Sequence, residues 1–155
     1  MKWKVIIGLL AIVLIVTVVS TGIYQLTVAE AKGREQEVVL QAEKRLKQEL
    51  TPDTVTFENV FNGQTQYTVF SMKKDGTALR AFVPAKGKIE TRPVKDGMKI
   101  ADVIRQNGNQ GKIVSSKYGF EERALIEIVT ETASGYDYSY YTYQEGSFIK
   151  RLRIN

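Results

Sequence analysis

Paired acids, serines beside lysines and a run of tyrosines are the residues of this sequence best suited to chemistry. The pairs Glu121/Glu122 and Glu127/Glu131 are the candidates for acid/base work. The first flanks a turn. The second spans four residues of an extended run, about 13 Å at ~3.3 Å per residue, beyond the ~5–9.5 Å that a two-carboxylate site needs. Both pairs read as solvated surface. Ser115-Ser116-Lys117 and Ser71-Met72-Lys73 set a serine near a lysine without S-x-x-K spacing. Adjacent strand residues also point to opposite faces. The chain has no Cys and no His, which removes Cys/His nucleophiles, the Ser-His-Asp triad, the usual zinc ligand sets and any disulfide framework. Its glycines are isolated turn residues with no phosphate-loop spacing. The expectation is a non-enzyme with no catalytic, cofactor or metal residues.

What remains is GYDYSYYTYQEGSFIKRLRIN, residues 135–155, with five tyrosines in eight positions followed by Lys150, Arg151 and Arg153. Strand alternation sends Tyr136, Tyr138 and Tyr140 to one face, and Tyr141 and Tyr143 to the other with Asp137 and Ser139. A sheet covered by one helix makes one row core and leaves the other to solvent or a partner. Tyr and Thr are good strand residues in any case. Tyr also offers a large amphipathic contact area, so Tyr136, Tyr138 and Tyr140 are the candidate partner surface.

The elements that position this run begin far upstream. Val5 to Ile23 carry no charge, and at ~1.5 Å per residue they nearly span a ~30 Å hydrocarbon core. Lys2 and Lys4 flank them on one side, with Trp3 and Tyr24 as interfacial aromatics. This predicts a cytoplasmic tail at 1–4 and a single membrane span at 5–24, with all that follows extracytoplasmic. A cleaved signal peptide ending at Ala29-Glu30-Ala31 is the competing reading. It fits less well, because the apolar core exceeds ~15 residues and the A-x-A lies far from its end. The net charge of +5 falls to about +3 without Lys2 and Lys4, too little to argue for nucleic acid.

Beyond the span, Thr27 and Glu30 have capping-box spacing. They open a helix with the stripe Ala31, Val38, Ala42, Leu46 and Leu50, stopped at Thr51-Pro52. The period then changes to two. Residues 55–61 and 65–72 flank Asn62-Gly63-Gln64 as a hairpin, and Lys73-Lys74-Asp75-Gly76 makes a second turn. A third strand runs through TALRAFVPA, and a short fourth lies around residues 88–92. A second helix over 98–106 shows Ile100, Ala101 and Ile104 on one face, with Asp96 as cap and Asn107-Gly108 as stop. Strands resume at 112–120, 123–131 and the tyrosine run, separated by turn residues Gly119 and Ala133-Ser134-Gly135. The two runs superimpose at an offset of 59, which sets Tyr136, Tyr138 and Tyr140 on Thr77, Leu79 and Ala81. The expected fold is α+β: a transmembrane helix, then two units at 27–92 and 93–155, each one helix on an antiparallel sheet of about four strands. Units of ~60 residues have marginal cores alone, so they are expected to pack together.

The basic flank and single span, the charged helix, GTALRAFVPAKGKI at 76–89 and the closing YSYYTYQEGSFIKRLRI together resemble the YpmB/TseB-like cell-wall elongation regulators of Gram-positive rods. The second half is similar to a PepSY module, whose last hairpin pairs an aromatic-rich strand with a short apolar one. The resemblance implies two cystatin-like units facing the wall, a non-enzymatic role at the cell membrane, and a monofunctional penicillin-binding transpeptidase as partner. It also implies that the Tyr136, Tyr138, Tyr140 row faces outward, because the PepSY pattern carries an outward acidic residue at the Thr142 position. Thr142 itself and the short second helix depart from that pattern, and both weigh against a calcium- or protease-linked role. The alternatives are a sensor of wall polymer or peptide, using the tyrosine row or the groove between the units, and a PepSY-type protease inhibitor.

Overall fold

The computed structural model describes residues 33–108 and 111–155. The expected span 5–24, the Thr27–Glu30 capping box and Ala31 lie outside the described residues. Among the described residues no helix is long and apolar enough to cross a membrane. The chain divides into Met1–Val38 and Val39–Asn155, and the two sheets belong to the second part.

Helix α1 covers residues 33–50. Its spacing of about one turn brings Ala42 and Leu46 into the core, with Val39 and Leu50 packed beside them. It ends before Pro52 as expected, at Thr51, whose φ of 45° places it in the left-handed region. Sheet 1 follows in chain order: β1 (Thr54–Asn62), β2 (Gln66–Lys74), β3 (Thr77–Pro84) and β4 (Glu90–Pro93), all antiparallel. Asp75 and Gly76 both have positive φ, 49° and 75°, the backbone of a two-residue hairpin turn whose twist matches the strands. Phe70, Met72, Ala81 and Val83 point to α1 and form one apolar cluster with it. Arg45 of α1 donates to the carbonyls of Pro84 and Gly87, tying the helix to the β3–β4 connection.

A 3-10 turn, Val94–Asp96, leads to α2 (Ile100–Asn107), then β5 (Lys112–Phe120), β6 (Ala124–Thr132), β7 (Gly135–Thr142) and β8 (Phe148–Ile154) form sheet 2, again in chain order. The fold class is therefore α+β, with two four-stranded antiparallel sheets. Three local expectations change. The N-cap of α2 is Lys99, without a side-chain bond, because Asp96 is taken up in the turn that Pro93 starts. The buried centre of α2 is Val103, flanked by Ile100 and Ile104 over Ile126, Ile128 and Tyr141, whereas Ala101 is exposed. Gly119 lies inside β5, and the turn falls at residues 121–123. A Cβ at Gly119 would stand 2.5 Å from the Phe61 ring, so the glycine admits a ring from the other sheet.

Registers also revise the internal repeat. Thr54 opposite Lys73 recurs as Lys112 opposite Glu131, and Tyr67 opposite Pro84 recurs as Leu125 opposite Thr142. Each residue moves by 58, so the offset of 59 is one residue too long, and a one-residue slip exchanges the faces of a strand. The counterparts of Tyr136, Tyr138 and Tyr140 are Ala78, Arg80 and Phe82.

The sheets meet through the side of sheet 1 opposite α1. Val69 and Phe82 pack on Phe120, Ala124 and Tyr143, while Phe61 packs on Leu125 and Tyr140. At this seam the Asn59 side chain acts as a peptide group. Its Nδ2 donates to the Tyr118 carbonyl at 2.9 Å, and its Oδ1 accepts the Tyr118 N–H at 3.2 Å.

Candidate functional site

The tyrosine strand β7 is held between β6 and β8, which sets its outer face in register. Tyr136 lies opposite Ile154, Tyr138 opposite Leu152 and Tyr140 opposite Lys150. Directly opposed residues point to the same side, so these six form one surface on the face away from α2. Its exposure is graded. Tyr136 (43%), Leu152 (51%) and Ile154 (55%) are open, whereas Tyr140 is 6% exposed; Tyr138 is half-buried. Of the expected row, Tyr140 is thus a core residue. Phe61 and Leu125 cover it, because sheet 1 reaches across this end of the outer face. A cover supplied by Phe61, far upstream in the chain, leaves no periodic signal in the strand it covers. Tyr141 is buried under α2, and Tyr143 lies at the seam.

Beneath Tyr140 sits a small buried polar group. Glu127, opposite Tyr140 in register, hydrogen-bonds its hydroxyl. Burial raises the Glu127 carboxyl above the usual carboxylate range, although the Tyr140 bond and the Lys117 charge pull it back. Burial and the neighbouring Glu127 push the Tyr140 hydroxyl well up as well. Lys117 is tied to the Val60 carbonyl at 3.0 Å, and Lys150 to Glu121 at 2.9 Å with its ammonium 4.8 Å from the Tyr140 ring centre. Glu131 pairs instead with Lys112 at the surface. The expectation of solvated surface holds for Glu122 and Glu131, which are exposed, but not for Glu127, which the strand buries beneath Tyr140 and whose pKa the charge of Glu121 helps to raise. Ser115 and Ser116 stand opposite Val129 and Ile128, on different faces of β5. Among the described residues no group of three or more His, Cys, Asp or Glu is placed to hold a metal ion.

The seam holds a second polar centre that sequence reasoning missed. Arg80, the sheet 1 counterpart of Tyr138, donates to both oxygens of Glu58 at 2.6 and 3.0 Å and to the Tyr143 hydroxyl at 2.8 Å. Its guanidinium lies 3.5 Å from the Tyr118 ring centre. Burial alone would lower the Arg80 pKa, but the bond to Glu58 and its charge raise it overall. Tyr143 donates on to the Pro93 carbonyl at 3.3 Å, and Gly97 leaves room for its ring. The pattern of alternation shows Arg80 as one polar residue in an apolar strand, and nothing local identifies its partners.

Thr142 has a local role. Its hydroxyl accepts the Ser147 N–H at 3.0 Å, and its own N–H donates to the Ser147 carbonyl at 2.8 Å, closing the β7–β8 turn through Gly146. A cavity of about 400 Å³ lies between the β1–β2 turn, the β5–β6 turn and the start of β8, lined by Gln64, Tyr67, Glu121, Arg123 and Lys150 among others.

With this geometry in hand, similarity to known proteins becomes informative. No protein-family model matches the chain, and no curated protein does. Among solved structures, the YpmB protein from Bacillus subtilis matches with a TM-score of 0.63 and 27% identity, over 74% of this chain and 95% of that one. The chain is YpmB-like. The sequence resemblance to that family and the fold therefore agree, and the paired antiparallel sheets of this YpmB-like chain are consistent with a cystatin-like architecture.

Proposed function

We propose that this YpmB-like chain is a membrane-anchored, extracytoplasmic, non-enzymatic regulator of cell-wall elongation that acts by binding a monofunctional penicillin-binding transpeptidase. The observation that carries the reading is the apolar strip of exposed Tyr136, Leu152 and Ile154 with half-buried Tyr138, on the last two strands of the chain. Contiguous apolar surface of this kind marks contact with another macromolecule, and tyrosine is enriched in such contacts. The charge-free run at 5–23 supports anchoring, and the family resemblance supplies the partner class.

A photo-crosslinking residue at position 136 in living cells is expected to capture a penicillin-binding protein. Adducts to glycan alone would overturn the transpeptidase reading and favour a wall-polymer sensor, for which the cavity between the two hairpin turns offers a second, polar surface. The anchor is checked by fractionation: the intact chain is expected to stay with membranes in high salt. A soluble form beginning near Lys32 would refute it.

A further inference from the structure

The internal repeat allows each place in sheet 2 to be compared with its counterpart in sheet 1. In sheet 1, Met72, Leu79 and Ala81 face α1 within an apolar cluster. Shifted by 58, those positions become Thr130, Asp137 and Ser139. Opposite Leu79 stands Pro93, whereas opposite Asp137 stands Arg153, and opposite Ser139 stands Arg151. Helix α2, of 8 residues, stops short of them. Where one copy lays a long helix over an apolar floor, the other leaves a polar floor beside a cavity of about 220 Å³, rimmed by Asn107, Arg151 and Arg153.

This floor is built from buried polar groups, which cost stability unless hydrogen-bonded. Thr130 is 9% exposed, Asp137 and Ser139 4% each. Asp137 takes two bonds from Arg153, at 2.7 and 2.9 Å, and Ser139 accepts one from Arg151 Nε at 3.0 Å. The hydroxyl of Thr130 has no partner among the described residues, and the proton of Ser139 has no acceptor there. Arg151 Nη1 stands 3.8 Å from Asp137 Oδ2, leaving guanidinium hydrogens unused. Donors therefore exceed acceptors around the cavity. Two guanidiniums and one carboxylate leave a single positive charge. A phosphate monoester, at about −1.5 to −2, would set excess negative charge against Asp137. A carboxylate is a monoanion, planar, and matched to the edge of a guanidinium.

We infer that this cavity binds the carboxylate of a small ligand or peptide end, held by Arg151 and the Thr130 and Ser139 hydroxyls. The full chain, in detergent, is titrated with N-acetylglycine and followed by NMR. Shifts at Thr130, Ser139 and Arg151 are expected, with Kd on the order of 1 mM. Thr130→Val removes the buried hydroxyl, and Arg151→Gln removes a rim charge, including its 3.8 Å approach to Asp137, while leaving both Arg153 bonds to Asp137 in place. Each is expected to weaken binding at least severalfold while distant resonances stay in place. No shifts at saturating ligand, unchanged affinity in both variants, or equal binding of the N-acetylglycine methyl ester would overturn the inference. Tighter binding of inorganic phosphate would overturn the carboxylate assignment. The titration reads this site directly and leaves the transpeptidase reading independent of its result.

Discussion

Two buried ionisable residues carry opposite lessons. Arg80 is paired with Glu58 and hydrogen-bonded to Tyr143 inside the seam. Removing one partner of such a pair strands the other's charge, at a cost of about 3–5 kcal/mol. Arg80→Ala is expected to lose that much in urea unfolding, and Arg80→Lys a large part of it, since an ammonium cannot donate to both oxygens of Glu58 and to Tyr143 in the same geometry. Glu127 is different, because its environment favours the protonated form. A carboxyl whose pKa is raised on folding contributes stability that is full below its ordinary pKa and is lost as pH rises through the raised value. Glu127→Gln is therefore expected to leave stability near pH 4 unchanged and to raise it at pH 7, by on the order of 1 kcal/mol or a few degrees in Tm. A variant less stable at pH 7 than the parent would refute this. Asp137 runs the opposite way: its bonds from Arg153 depress its pKa, so its contribution fades as pH falls.

The elements themselves were largely legible in the sequence, for local reasons. Asp75-Gly76 marks a hairpin because few residues tolerate positive φ at both positions, and Pro52 ends α1 wherever the rest of the chain goes. Asn62-Gly63 also marks a turn, although Gly63 has no positive φ and instead leaves room for the Phe61 ring. What escaped depends on distant partners. Gly119 looks like a turn glycine until Phe61 is known to lie against it, and Tyr140 looks like an outward residue until sheet 1 covers it. The offset of 59 aligned turn glycines, whereas the register aligns cross-strand pairs, and the two differ by the one residue that exchanges faces. Gly119→Ala is expected to cost about 1–3 kcal/mol, since the Phe61 ring is fully buried and has little room to give. Asn59→Ala removes both bonds to the Tyr118 backbone, and the unpaired groups are expected to cost about 1–3 kcal/mol. Thermal denaturation of the two variants measures both effects.

On the scale of the whole molecule, the two sheets divide their tasks. Sheet 1 is covered on one face by α1 and on the other by the end of sheet 2. Among the described residues β8 is an edge strand of sheet 2, with an apolar strip beside it. If that strip is a partner surface, Tyr136→Ser with Leu152→Ser is expected to abolish crosslinking to the transpeptidase from a neighbouring exposed position such as 154. Tm should change by no more than a degree or two, because both side chains already face solvent. A large loss of stability with capture intact would assign the strip to folding instead.

The order of strands also governs the rate at which the chain reaches this state. Within each sheet every strand pairs with its neighbour in sequence, so both sheets close through short loops, the kind that form early. The seam is the exception: Asn59 reaches Tyr118 across 59 positions, and Arg80 reaches Tyr143 across 63. Contacts that distant form late on the path to the folded state. Substitutions at Asn59 or Arg80 are thus expected to act on the unfolding limb of a chevron and leave the folding limb nearly unmoved, whereas Gly76→Ala, at the hairpin turn, slows folding. The seam then sets how long the folded molecule lasts, and the hairpins set how soon it forms.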